Sequence, residues 1–73
     1  MTWIVKLTSP SGDVFYGEAI DREGFRYRCP RPEQAEAFDT RESAESTFYY
    51  FKLMRPLEGY QFEAVELESI SAQ

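Results

Sequence analysis

Between Asp39 and Pro56 the chain carries its one run of helical spacing, and the stretches on either side read at period two. That contrast narrows the architecture. A lone helix must lay its apolar stripe on something, and the flanking strands supply the surface. The start is marked by Phe-Asp-Thr-Arg-Glu at 38–42. Asp39 or Thr40 can serve as the N-cap. Glu42 stands three residues after Asp39, which is capping-box spacing, whereas Thr40 as cap places Ser43 third, a poorer box. Glu42 and Glu45 sit near the positive end of the helix dipole. Phe38, just before the cap, is placed as a hydrophobic staple. The helix is expected to reach about Met54 or Arg55, where Pro56 ends it. Ala44, Phe48 and Phe51 form its stripe, with Thr47 and Arg55 at the margins.

The strands read as follows. In residues 2–8, Trp3, Val5 and Leu7 share one face, with Lys6 and Thr8 on the other, a half-buried strand. Ser9-Pro10-Ser11-Gly12-Asp13 is a turn. Residues 14–20 form the second strand, with Val14, Tyr16, Glu18 and Ile20 on one face and Phe15, Gly17 and Ala19 on the other. After a turn at 21–24, residues 25–29 form a third, with Phe25, Tyr27 and Cys29 inward and Arg26 and Arg28 outward. Pro30 and Pro32 stop it, because each removes a ladder donor. Residues 33–38 fit either a short helical turn or a short edge strand. A last strand is expected over 60–68. Its alternation is imperfect, which suggests a bulge near Ala64 or burial on both faces. The expectation is an α+β fold, order β-β-β-α-β, with a three- to four-stranded antiparallel sheet and one helix on one face.

With 73 residues the chain has room for one domain, and 69–73 is expected to fray. Thirteen acidic and eight basic side chains give a net charge of −5, which disfavours binding to phosphate backbones and suits a basic partner. There is no histidine, so the commonest general base and metal ligand is missing. Cys29 is the single cysteine, too few for an internal disulfide or a cysteine-based zinc site, and without a histidine to activate it, it reads as a buried structural thiol. No phosphate loop, cofactor motif or metal set stands out. No apolar run approaches the ~20 residues of a membrane span, and the first ten residues lack signal-peptide features. The cytoplasm is the default, and a stand-alone enzyme is the least expected class.

Three surfaces remain as candidates. Glu63, Glu66 and Glu68 fall on the last strand, and from Pro56 onward there is no basic residue. They are either a solvated strand edge or an acidic stripe that docks on a basic groove. Arg22, Arg26, Arg28 and Arg31 form the opposite cluster, either paired with neighbouring carboxylates or able to contact RNA or a peptide. Phe48-Tyr49-Tyr50-Phe51 places four rings at roughly 100° steps, so they cannot all face one sheet. Phe48 and Phe51 suit the core. Tyr49, Tyr50, Leu53 and Met54 are then partly exposed, as a partner or self-association surface.

Residues 38–51 with 59–67 resemble small phage and prophage proteins. The shared pattern is Phe-Asp-Thr-Arg-Glu before an aromatic helix, then Gly59-Tyr60 and a closing strand. Some anti-CRISPR proteins against type I surveillance complexes are similar in size, acidity and this capped aromatic helix. The resemblance implies an inhibitor that occupies a basic nucleic-acid-binding surface of a host defence complex, and it assigns no individual contact residue. The expected function is therefore a non-enzymatic protein-binding inhibitor. A small nucleic-acid-binding module on the arginines and a structural homodimer on the helix rings are the alternatives.

Overall fold

The computed structural model describes residues 1–19, 22–23 and 27–68. The expected positions Ile20, Phe25 and Arg26 and the tail 69–73 lie outside the described residues. The elements are β1 (Trp3–Thr8), β2 (Val14–Gly17), β3 (Arg28–Cys29), α1 (Arg41–Glu45), α2 (Phe48–Lys52) and β4 (Gln61–Glu66). Short 3-10 turns at Pro32–Gln34 and Arg55–Leu57 flank the helical segment. The sheet is antiparallel throughout, in the order β3-β2-β1-β4. This is the α+β fold expected, with the helical segment packed on one face of a four-stranded sheet.

Register divides the side chains between the two faces. Leu7 lies between Phe15 on β2 and Phe62 on β4. Lys6, on the opposite face, lies between Tyr16 and Glu63, and Cys29 continues that row. The helical face holds the core of Val5, Leu7, Ala44, Phe51, Leu57 and Ala64, with Trp3, Phe48 and Phe62 packed around it. β1 is more than half-buried, which corrects the expectation. Ile4, on the far face beside Val65, is 0% exposed. An interior strand has side chains of both neighbouring strands alongside its own on each face, which shields it more than an edge strand.

Gly17 sets how closely the helix can approach. A Cβ there would overlap Cζ of Phe51 and lie 3.0 and 3.1 Å from Cε1 and Cε2. Phe51 uses the missing side chain as its seat. Its ring stacks on Phe62 at a 6.1 Å centroid separation, and Phe48 meets Phe62 at 5.9 Å. These contacts press the apolar stripe of the helix onto β2 and β4, where burial contributes most of the stabilisation.

The helix is broken into two halves. The Ser46 hydroxyl donates to the carbonyl of Ser43 at 2.6 Å, and the Thr47 hydroxyl donates to that of Ala44 at 2.7 Å. Such side-chain bonds compete with the backbone ladder and bend helices. The backbone N–H of Thr47 accordingly bonds three residues back, to Ala44, in 3-10 fashion. Thr40 is the cap: its Oγ1 accepts from the Ser43 N–H at 3.1 Å. The second half ends at Lys52, earlier than Pro56 alone implies, and Arg55 belongs to the following 3-10 turn.

The remaining strands are shorter than expected. β2 stops at Gly17, whose carbonyl accepts from Glu36 at 3.0 Å. Beyond it, Phe38 takes the place beside β1, exchanging two 2.8 Å hydrogen bonds with Trp3. Residues 33–38 therefore combine both expected forms, a turn at Pro32–Gln34 and then a bridge. β4 pairs with β1 residue for residue from Gln61 to Glu66, so there is no bulge at Ala64. Gly59, with φ +82°, supplies the left-handed turn into β4.

Gly17→Ala is expected to lower unfolding free energy by about 1–3 kcal/mol through overpacking. Thr40→Ala is expected to cost about 1 kcal/mol through the lost cap. Urea unfolding measures both, and a Gly17→Ala variant as stable as the wild type would contradict the close approach.

Candidate functional site

Among the described residues, the outer face of α2 is the main exposed aromatic surface. Once Phe51 is seated on Gly17, helical geometry turns Tyr49, Tyr50 and Leu53 away from the sheet. They are 66%, 52% and 63% exposed. The Tyr49 and Tyr50 rings meet edge-on at 5.7 Å. Met54, expected on the same surface, is elsewhere. It is half-buried and packs against the core.

The acidic stripe is corrected by register. Period two places Glu63 on the face opposite the helices, across from Lys6. Glu66 falls on the helical face beside Trp3 and is half-buried. Glu68 lies past the end of β4, where its Oε1 accepts from the Thr2 N–H at 3.3 Å. The three carboxylates therefore do not line up as one surface.

Of the four arginines, Arg22 occupies a turn, Arg31 precedes the first 3-10 turn, and Arg26 lies outside the described residues. Arg28 was expected outward, with Cys29 inward. The structure reverses the two relative to the helices, because Arg28 pairs with Gly17 and Cys29 with Tyr16. The Arg28 guanidinium sits over Phe15 at 5.0 Å and over Tyr60 at 5.8 Å. These two rings are 6.3 Å apart and form a platform for the cation.

Beside this platform is an open pocket of about 290 Å³, lined by Tyr27, Arg28, Met54, Pro56 and Leu57. Tyr27, expected inward, is 46% exposed at its rim. In the sequence, residues 57–59 read only as the turn from helix to last strand, so the pocket is not legible there. The available signal was an apolar residue straight after Pro56: the 3-10 turn folds Leu57 back into the core, at 3% exposure.

Cys29 is buried on the face opposite the helices. Its Sγ lies 3.3 Å from the Tyr16 carbonyl and 3.5 Å from that of Arg31. Burial pushes the thiol pKa up, the Glu18 carboxylate adds to the rise, and the Arg31 backbone hydrogen bond opposes it. That environment holds the sulfur as an unreactive thiol. Among the described residues, no three metal-ligating side chains gather, and no helix is long and apolar enough to cross a membrane. Comparison with protein-family models, curated proteins and solved structures returns no match.

Folding raises the Cys29 pKa, so alkaline pH ionises the unfolded chain first and lowers stability as pH climbs past the ordinary thiol range. Iodoacetamide at pH 8 is expected to label native Cys29 at least roughly tenfold more slowly than the urea-unfolded chain. Equal rates would show the thiol to be accessible.

Proposed function

We propose that this chain is a non-enzymatic protein-binding domain, an inhibitor or adaptor, that docks the outer face of α2 on a protein partner with a basic surface. The observation that carries this reading is the cluster of Tyr49, Tyr50 and Leu53. Half of the six large apolar side chains most exposed among the described residues fall within these five positions. Tyrosines on a helix are stiff, amphipathic anchors, and they lose little conformational entropy on docking. The Tyr49–Tyr50 edge contact holds two of them in place before a partner arrives.

Charge supports the choice of partner. At −5 the chain is attracted to a basic surface and repelled by nucleic acid. In its finer form, the partner's basic surface is one that otherwise holds nucleic acid, and the protein is a phage anti-defence factor. That form rests on the acidity and on the resemblance of residues 38–51 with 59–67 to small phage proteins, some anti-CRISPR proteins among them. Glu63 and Glu68, away from the ring contact, then act on the encounter through the field of the whole chain.

A tagged chain in nuclease-treated bacterial lysate tests the reading. Wild type is expected to retain a stoichiometric protein partner, and Tyr49→Ser/Tyr50→Ser to weaken it by about tenfold or more. Glu63→Lys/Glu68→Lys is expected to slow association and flatten its salt dependence. Capture that nuclease abolishes would point instead to the arginines. A wild-type dimer converted to monomer by the tyrosine substitutions would point to self-association.

A further inference from the structure

The geometry points to a second binding site, independent of the tyrosine surface: the Arg28 pocket receives a carboxylate attached to a small apolar group. Arg28 is the one charged residue among the described lining residues, and Met54, Pro56 and Leu57 make an apolar wall. Its guanidinium lies over the Phe15 and Tyr60 rings. Among the described residues, it meets no carboxylate. A ring contact through the π face does not consume the guanidinium's N–H donors, and their fork matches a carboxylate bidentately.

Size and charge narrow the ligand further. At about 290 Å³ the pocket lies at the lower end of small-molecule sites, so it suits one amino-acid-sized group. One cation among the described lining residues, in a chain of net charge −5, favours a singly charged anion over a phosphate, which collects several cationic or backbone donors. A free aromatic or aliphatic acid and the C-terminal residue of a polypeptide share this chemistry.

NMR titration of the full chain tests the site, read at the Met54 methyl and the Arg28 Nε–H. The probes are 3-phenylpropanoate, its neutral amide, phenylphosphonate, and a short peptide ending in leucine with a free or amidated C-terminus. The acid is expected to give saturable shifts at both reporters, with Kd on the order of millimolar. The amide is expected to bind at least about tenfold more weakly. Arg28→Gln is expected to abolish the shifts. Because that change also removes the cation from the ring platform, Tyr27→Glu is a second variant. It alters an exposed rim residue, supplies a competing carboxylate, and is expected to block the acid while methyl dispersion stays native. Tighter binding of the free-ended peptide than of the simple acid assigns a polypeptide terminus, and the reverse assigns a small acid. The site is overturned by equal binding of the amide, by tighter binding of the phosphonate, by no saturable shift, or by undiminished binding in folded Arg28→Gln or Tyr27→Glu. Tyr49→Ser/Tyr50→Ser is expected to leave acid binding unchanged, which separates this site from the protein-docking surface.

Discussion

The ring of Phe51 resting on Gly17 is the contact on which the rest of the structure depends. A small domain buries a limited share of its surface, so a few close approaches dominate its core. Gly17 offers bare backbone, and Phe51 comes closer to the sheet there than any side chain at that position allows. Phe62, stacked on Phe51, then joins the helix to β4. With Phe51 as the pivot, Ala44 and Thr47 point into the core, and Tyr49, Tyr50 and Leu53 point out. The exposed ring surface follows from the seat that the buried ring takes.

The same glycine links the sheet to the Arg28 pocket. Arg28 is opposite Gly17 in the β2–β3 register, so it projects on the helical face. With no side chain at Gly17, the guanidinium lies over the Phe15 and Tyr60 rings. The 3-10 turn at Arg55–Leu57 closes the neighbouring wall by folding Leu57 inward. One missing side chain thus helps to set both the helix seat and the direction in which the arginine points.

Much of the architecture was legible in the residues. The period-two stretches, the cap region at 38–42 and Pro56 identify strands, helix and order, because each acts through near neighbours in the chain. The features that were not legible depend on what lies across the fold. Ile4 follows Trp3 in a pattern that reads as half-buried, and only the interior position of β1 buries it. Ser46 and Thr47 are compatible with a helix, and only their hydroxyl bonds to Ser43 and Ala44 reveal the break. Glu63 and Glu66 look like one stripe in a list of acids, yet an odd spacing on an unbulged strand sends them to opposite faces. Tyr49 and Tyr50 could be read as exposed from helical spacing alone, whereas Met54 and the Arg28 pocket required the turn after Lys52.

The Phe51 seat can be observed directly. In a through-space NMR experiment on the native chain, the Gly17 α-protons are expected to show strong cross-peaks to the Phe51 ring-tip protons, since a Cβ at Gly17 would lie 3.0 Å from Cε1. Those cross-peaks, seen alongside contacts between Phe51 and Phe62, would establish the packing from which the two surfaces follow. A folded chain with dispersed signals and no Gly17–Phe51 cross-peak would contradict it.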